Sequence, residues 1–388
     1  MEPANSQRRY EISVWNADYR SPVLRRPWEI LTSSRDSPAT IYQSSKYFDY
    51  LQDLEPTGRL EVLTVKDKTT DTIVGIVPAR RWVYRLEFKL RARTLVGIRL
   101  ESIGILGGEP MVPEDPDAFD ELFLAFTRHY PTAQVIYMDP VPSTSYLWHH
   151  LQTSPVVQKG YDALVLGGFR ERHSVPLPKS LDEYHRQLSR KKRYNLARQE
   201  RLLRDHCGNT LELITIEREE DLPALFAAIG KLPTKDKPNY VFKEDEYIYL
   251  SRHKLLHCYV LKSAENVLGL LLGIKAGKTF KIDRMFHDHS FEKYSPGTTL
   301  WQLVLKDLIN GGEFLRVDFG YGIPAYQHRS TNIIENKGRI LLFRRSIANR
   351  CLILAYTIYS AAINLITTRV GQSSRAINSR ILKRENDH

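Results

Sequence analysis

The sharpest chemical signal in the chain is Tyr294-Ser295-Pro296-Gly297-Thr298-Thr299-Leu300, set between a strand-like and a helix-like segment. These residue types suit an anion. The first N–H groups of a helix have no intrahelical acceptor, and the helix dipole adds partial positive charge at the same end. Gly297 lets a ligand approach the backbone closely, Pro296 has no donor to lose at a helix start, and Thr298 and Thr299 add hydroxyls. Taken alone, the segment is equally a Pro-Gly turn with hydroxyl caps. Candidate proton-handling groups flank it in the sequence: Asp283, His287, Asp318, Tyr321 and Tyr326. His287-Asp288-His289 has the spacing of a metal pair, but no further ligands accompany it, so no metal is expected.

Apolar alternation and 3.6-residue periodicity predict the elements that position these groups. In the second half, strands are expected at Leu211–Ile216, His257–Lys262, Val267–Ile274, Lys278–Phe286 and Phe314–Phe319, with helices at Leu222–Leu232 and Thr298–Ile309. In the first half, Leu60–Val65 and Thr72–Ala79 read as a hairpin. A strand at Ile103 runs into the loop Gly107-Gly108-Glu109-Pro110, then follow an amphipathic helix over Pro116–His129 and a strand over Val135–Asp139. Residues 10–60 read as turns with helical patches, one of them around Tyr47–Leu51 behind the caps Ser44 and Ser45. The two halves share this order. Val62–Ala79 parallels Cys258–Ile274, and Phe119–Asp139 parallels Leu300–Asp318, which predicts a duplicated α/β unit.

Pro176-Leu177-Pro178-Lys179 marks a boundary, and Ser180 with Glu183 three residues on has capping-box spacing. One helix is expected from Leu181 to about His206, ended by Gly208. It carries Arg186, Arg190, Lys191, Lys192, Arg193, Arg198, Arg201 and Arg204, with Tyr184, Leu188, Leu196 and Leu203 to pack on a neighbour. Three readings stay open for its charge: a solvated face, contact with an anionic substrate or cofactor, or nucleic acid. The last is disfavoured, because no reader motif accompanies it.

A chain of 388 residues exceeds the roughly 250–300 at which single cores stop growing, so two domains are expected. A formal charge of +11 favours anionic partners without choosing among them. Cys207, Cys258 and Cys351 are too far apart for a metal knuckle and odd in number, which fits a reduced, cytoplasmic setting. The basic N-terminus lacks the apolar run of a secretory signal. The apolar stretch Leu352–Ile366 is broken by Thr, Ser, Asn and two Tyr and is short for a span. It is expected to be buried or to lie on a surface, which leaves peripheral membrane contact open.

Three stretches carry a family resemblance: the basic run Ser189-Arg190-Lys191-Lys192-Arg193-Tyr194-Asn195-Leu196-Ala197-Arg198, the turn Tyr294–Leu300, and Val317-Asp318-Phe319-Gly320-Tyr321-Gly322 followed by Tyr326. Over roughly residues 175–330 the chain resembles the GNAT superfamily acetyltransferases of bacterial cellulose and exopolysaccharide gene sets (CelD/BcsL-like), which are similar to the FemAB peptidyltransferases. Weaker support comes from Tyr42-Gln43-Ser44 and Val74-Gly75-Ile76-Val77-Pro78. Of the general GNAT phosphate motif only Gly297 is present, and Gln327 stands where the narrower group often has Lys.

The resemblance implies an α/β (α+β) fold of tandem GNAT-like domains, with mixed, mostly antiparallel sheets flanked by helices. It divides the chain into a degenerate N-terminal unit (1–175), an acyl-CoA-binding unit (176–335) and a C-terminal helical extension (336–388). It implies acyl transfer from acetyl-CoA or another acyl-CoA to an amine or hydroxyl of a sugar, peptide or polysaccharide precursor. The donor would lie on Met285, Phe286, Ser295, Gly297, Thr298 and Thr299, with Asp283, Asp318 and Tyr326 as catalytic candidates. The FemAB relatives use aminoacyl-tRNA, so that donor stays open, as does a non-catalytic binding protein with a basic surface.

Overall fold

The computed structural model describes residues 8–35, 37, 39–56, 59–90, 93–233, 235, 241–321 and 333–363. The first half runs β1 (Tyr10–Trp15), α1 (Pro22–Ser33), α2 (Thr40–Gln43), α3 (Ser45–Leu54), β2 (Leu60–Asp67), β3 (Thr72–Leu90), β4 (Arg93–Ile105), α4 (Pro116–His129), β5 (Val135–Pro142), α5 (Tyr146–Thr153), α6 (Pro155–Gly160) and β6 (Tyr161–Pro176). Two linking helices follow, α7 (Leu181–Gln187) and α8 (Arg190–His206). The second half runs β7 (Leu211–Ile216), α9 (Leu222–Lys231), α10 (Glu244–Arg252), β8 (Cys258–Ser263), β9 (Asn266–Ala276), β10 (Thr279–His287), α11 (Pro296–Gly311), β11 (Arg316–Tyr321) and β12 (Ile333–Arg344). Helix α12 occupies 347–363. The fold is mixed α/β, a mostly antiparallel sheet flanked by helices, as expected.

The strands form one sheet in the order β1-β2-β3-β4-β5-β12-β6-β11-β10-β9-β8-β7. Read inward from either edge, four antiparallel strands are followed by a parallel fifth, and then by the sixth strand of the opposite half. Thus β12 pairs with β5, and β6 pairs with β11. The central β6–β12 pair is antiparallel. The repeat is therefore visible in the topology, and the two units are tied together by exchange of their last strands.

Each junction carries an Asp–Arg pair. At β11–β6, Asp318 takes Arg172 Nη2 at 2.5 Å and Nε at 3.3 Å. At β5–β12, Asp139 takes Arg339 Nε at 2.9 Å. The first pair is dry, since Asp318 is 0% exposed and the Arg172 side chain 7%.

Both sheet faces are packed. Phe119, Leu122, Phe123 and Phe126 sit at helical spacing on α4 and meet Ile103, Ile136 and Met138. On α11, Trp301, Val304, Leu305 and Leu308 meet Tyr259, Phe280 and Val317. Trp28, Phe48, Leu225 and Leu255 join both halves in another cluster.

The structure differs from the sequence reading in several elements. The helix expected over Leu181–His206 is two helices. Leu188 is extended (ψ 139°) and buried, and Ser189 restarts the chain by capping α8 through Lys192 N–H at 3.3 Å. Strands β1, β6 and β12 were not expected, and β3 and β4 extend into a long hairpin past Ala79. The segment after residue 335 continues as β12 in the sheet centre before it becomes helical at 347.

The Arg172–Asp318 pair yields a prediction. Arg172→Met leaves a buried carboxylate without its partner and should lower the unfolding free energy in urea by about 3–5 kcal/mol. Adding Asp318→Leu to the same chain should recover most of that loss, because two apolar groups restore the packing without a buried charge.

Candidate active site between the two halves

Strands β10 and β11 pair only over Thr279–Lys281 and Arg316–Asp318. Beyond Lys281, β11 stays with β6, while β10 runs on to His287 with β9 alone among the described residues. The β10–β9 register also shifts between Ile282 and Arg284, so Asp283 is the extra residue of a bulge. From the bulge to the start of α11, β9 is therefore the one described strand paired with β10.

The start of α11 is prepared for an anion. Ser295 is left-handed (φ 55°, ψ 52°), no side chain caps the helix, and its first turn holds no acid. Thr299 N–H makes the first bond, to Ser295 O at 3.1 Å, so Gly297 and Thr298 N–H precede it. The Thr299 hydroxyl is buried with no hydrogen-bond partner. Gly297 lies against the end of β10, where a Cβ would stand 3.1 Å from His287 Nδ1. Helix α8 flanks the turn: Gln199 Nε2 is 3.4 Å from Ser295 Oγ, and His206 stacks on Tyr294 at 4.0 Å.

The equivalent place in the first half is closed. After β4 leaves β5, the chain turns through Gly107 and Gly108 at φ +76° and +83°. A Cβ on Gly108 would be 2.3 Å from Pro140 O, so this loop fills the gap between the strands. Met111 then returns to pair with Ile76. At the start of α4, Asp115 accepts from Asp117 N–H at 2.8 Å and from Tyr10 OH at 2.9 Å. Carboxylates already occupy the anion-favouring end of that helix.

Between the halves lies a cleft of about 780 Å³, bordered by β10, β11, β4, β5, β6, β12 and helices α2 and α3. Its cations are Arg80, Arg172, Lys281, Arg284 and Arg339, its anions Asp139 and Asp283. Tyr42, Tyr47, Trp82, Tyr84, Tyr137, Phe319 and Tyr321 supply aromatic walls. Asp139 organises one side by accepting from Tyr321 OH at 2.9 Å, Tyr137 OH at 3.1 Å and Arg339. Burial and then Asp139 raise the Tyr321 pKa, so the phenol keeps its proton at neutral pH. Lys281 has a side chain only 15% exposed, with Nζ 3.8 Å from Asp283 Oδ1 and 5.2 Å from the Tyr42 ring centre. Burial depresses its pKa, an effect partly offset by Asp283 and Asp318.

The sequence candidates fall at distinct places. Asp283 lines the cleft at the bulge. Asp318 is buried behind Arg172, which lines the cleft in its stead. Met285 and the buried Phe286 lie on the β10 edge between the bulge and the α11 turn. Ser295, Gly297, Thr298 and Thr299 form the turn itself. Tyr326 lies outside the described residues. Sequence reasoning missed Lys281, Arg172, Asp139 and Arg339. The internal repeat was the available signal for Asp139, because it aligns with Asp318. Among the described residues, no three His, Cys, Asp or Glu side chains gather as a metal site.

The acetyltransferase (GNAT) domain family matches residues 190–328. No curated protein sequence matches the chain. Among solved structures, the fold is similar to that of FemX, at 11% identity and a TM-score of 0.58, over 85% of this chain and 98% of FemX. It is also similar to a conserved protein of unknown function from Bacteroides thetaiotaomicron VPI-5482, at 10% identity and a TM-score of 0.50, over 86% and 100% of the two chains. Residues 190–328 thus carry the match to the acetyltransferase (GNAT) domain family, within a FemX-like fold that extends over both halves.

Proposed function

We propose that the protein transfers an acyl group from an acyl-CoA to an amine or hydroxyl of a sugar, peptide or polysaccharide precursor. The observation that carries this reading is the uncapped start of α11, with the buried, unpartnered Thr299 hydroxyl, beside the end of a strand whose Lys281–Arg284 stretch lines the cleft. From His287 to Asp283 the strand advances roughly 13 Å, at about 3.3 Å per residue. An extended thioester arm could therefore lie along it with phosphates on Gly297, Thr298 and Thr299 and the acyl group at the bulge. Arg190, Lys191, Lys192, Arg198 and Arg201 of α8 have no carboxylate partner among the described residues and would supply charge for the phosphates.

In this reading the second unit (176–335) binds the donor and the first (1–175) shapes the acceptor site. The aromatic walls suit stacking on a sugar ring, which accords with the resemblance to polysaccharide-linked acetyltransferases. Acyl-CoA as donor places the reaction in the cytoplasm.

We assign the proton-accepting role to Lys281, with Asp283 orienting its ammonium. A base acts best when its pKa lies near the working pH, and burial moves Lys281 in that direction. Backbone N–H groups at the Asp283 bulge would hold the developing oxyanion. Asp318 serves by fixing Arg172, and Tyr321 or Tyr326 would return a proton to the leaving thiolate.

A second reading, transfer from aminoacyl-tRNA, is favoured by the unpaired cations of α8 and by the FemAB resemblance. Thermal melts separate the donors. Acyl-CoA at about 100 times its Kd should add about 2.7 kcal/mol of stability, read as a rise in Tm. Thr298→Glu, at a partly exposed position, should fold but lose that rise, because it brings a carboxylate to the helix start. Protection by charged tRNA alone would transfer the assignment to the second reading. No response to either would favour a binding protein without catalysis.

The base assignment has its own test. Because the Lys281 pKa is lowered, its neutral form appears as pH rises through a value below that of an ordinary lysine, so kcat/KM should climb through that point and level off. Lys281→Met should cut kcat by roughly 10²–10⁴-fold and remove the rising limb. A wild-type pH profile in Lys281→Met would exclude Lys281 as the base.

A further inference from the structure

Helix α12 has two apolar faces, and only one is covered by other described residues. Its inner face lies on the extended β3–β4 hairpin, where Leu352, Ile353 and Tyr356 meet Leu86, Phe88 and Leu100. The rings of Tyr356 and Tyr359 stand 5.4 and 5.1 Å from that of Phe88. On the outer face, Ile347, Leu354 and Ile358 are 85%, 60% and 61% exposed, with exposed Cys351 among them. Their spacing is i, i+4, i+7 and i+11, which draws them into one stripe along the helix. The hairpin end that α12 leans on adds exposed Leu90, Leu95 and Val96. A contiguous apolar surface of this kind marks a contact site.

Charge indicates what covers it. From Asn336 to Arg384 the sequence holds ten Lys and Arg and no Asp or Glu; of the described ones, Lys337 is buried, Arg339 is held by Asp139, Arg344 by main-chain carbonyls, and Arg345 and Arg350 by Asp162. On the hairpin, Arg93 and Arg99 are exposed with no carboxylate partner among the described residues. Arg85 stands directly across the strands from Arg99, and Glu87 Oε1 lies 3.8 Å from Arg85 Nε. A second copy of the chain would set these cations against one another. A nucleic acid would leave the apolar stripe in water. A membrane with anionic headgroups satisfies both features at once: apolar side chains enter at the headgroup–acyl boundary while Lys and Arg meet the phosphates. The described helices include none long and apolar enough to cross a membrane, and a helix lying in the interface needs no such length.

We propose that the outer stripe of α12, together with the end of the β3–β4 hairpin, docks the protein on an anionic phospholipid surface. This docking does not depend on which acyl donor the cleft uses.

Sedimentation of the full chain with phosphatidylcholine vesicles, with and without phosphatidylglycerol, tests it. The protein should pellet with the phosphatidylglycerol vesicles, more weakly as salt is raised, and far less with phosphatidylcholine alone. The triple variant Ile347→Gln, Leu354→Gln, Ile358→Gln changes only exposed side chains, so its circular dichroism and Tm should be unchanged. Its partitioning should fall by roughly a hundredfold. Arg93→Glu with Arg99→Glu should weaken binding only to the anionic vesicles. No pelleting of the wild type, or equal pelleting of the triple variant, overturns the proposal. So does a wild-type dimer in light scattering that the triple variant abolishes, which would assign the stripe to a second copy.

Discussion

A strand inside a sheet must satisfy hydrogen-bonding groups on both of its edges, yet from Ile282 onward β10 pairs with β9 alone among the described strands. The rest of the second half follows from that constraint. Strand β11 cannot close the gap because β6 holds it through five paired positions and the buried Arg172–Asp318 contact. The bulge at Asp283 brings this part of β10 to the cleft wall, and Gly297 allows the start of α11 to approach the far end of the strand. The parting of β10 and β11 is thus a consequence of strand exchange, because β11 is committed to β6.

The first half shows the same architecture with the opposite outcome. Its gap is filled by the Gly107-Gly108 loop, and its helix start is neutralised by Asp115 and Asp117. One repeat has kept an uncapped helix start, and in the other carboxylates occupy it. Its remaining contribution is to the cleft wall, where Tyr42, Trp82, Tyr137 and Asp139 face Lys281 and Asp283. Asp139–Arg339 stays partly wet while Asp318–Arg172 is dry, so the two pairs differ in solvent contact. A buried pair is suited to holding geometry, and a wet one can exchange partners with a ligand.

How much of this was legible in the sequence depended on whether a residue served its own element or a distant one. Helix α4, helix α11 and strands β2, β3, β5 and β7–β11 announce themselves by local periodicity, and so does the turn at Ser295–Thr299. Strands β6 and β12 do not. Arg170-Glu171-Arg172 and Glu335-Asn336-Lys337 put charge in the centre of a sheet, and local patterning reads such runs as loops. The kink at Leu188 was hidden because a buried leucine fits a continuous helix as well as a broken one. Lys281 and Arg172 acquire their character from residues far away in sequence, which no spacing argument reaches. Asp318 was found for its place at a strand end, but the structure gives it a buried partner instead of an open face.

Hydrogen–deuterium exchange with a non-hydrolysable acyl-CoA thioether tests the central claim, that a donor lies along β10 and the start of α11 in the second half alone. The account predicts slowed exchange across residues 282–299 and no change across 104–118. Slowed exchange across 104–118, or none in either segment at saturating ligand, would contradict it.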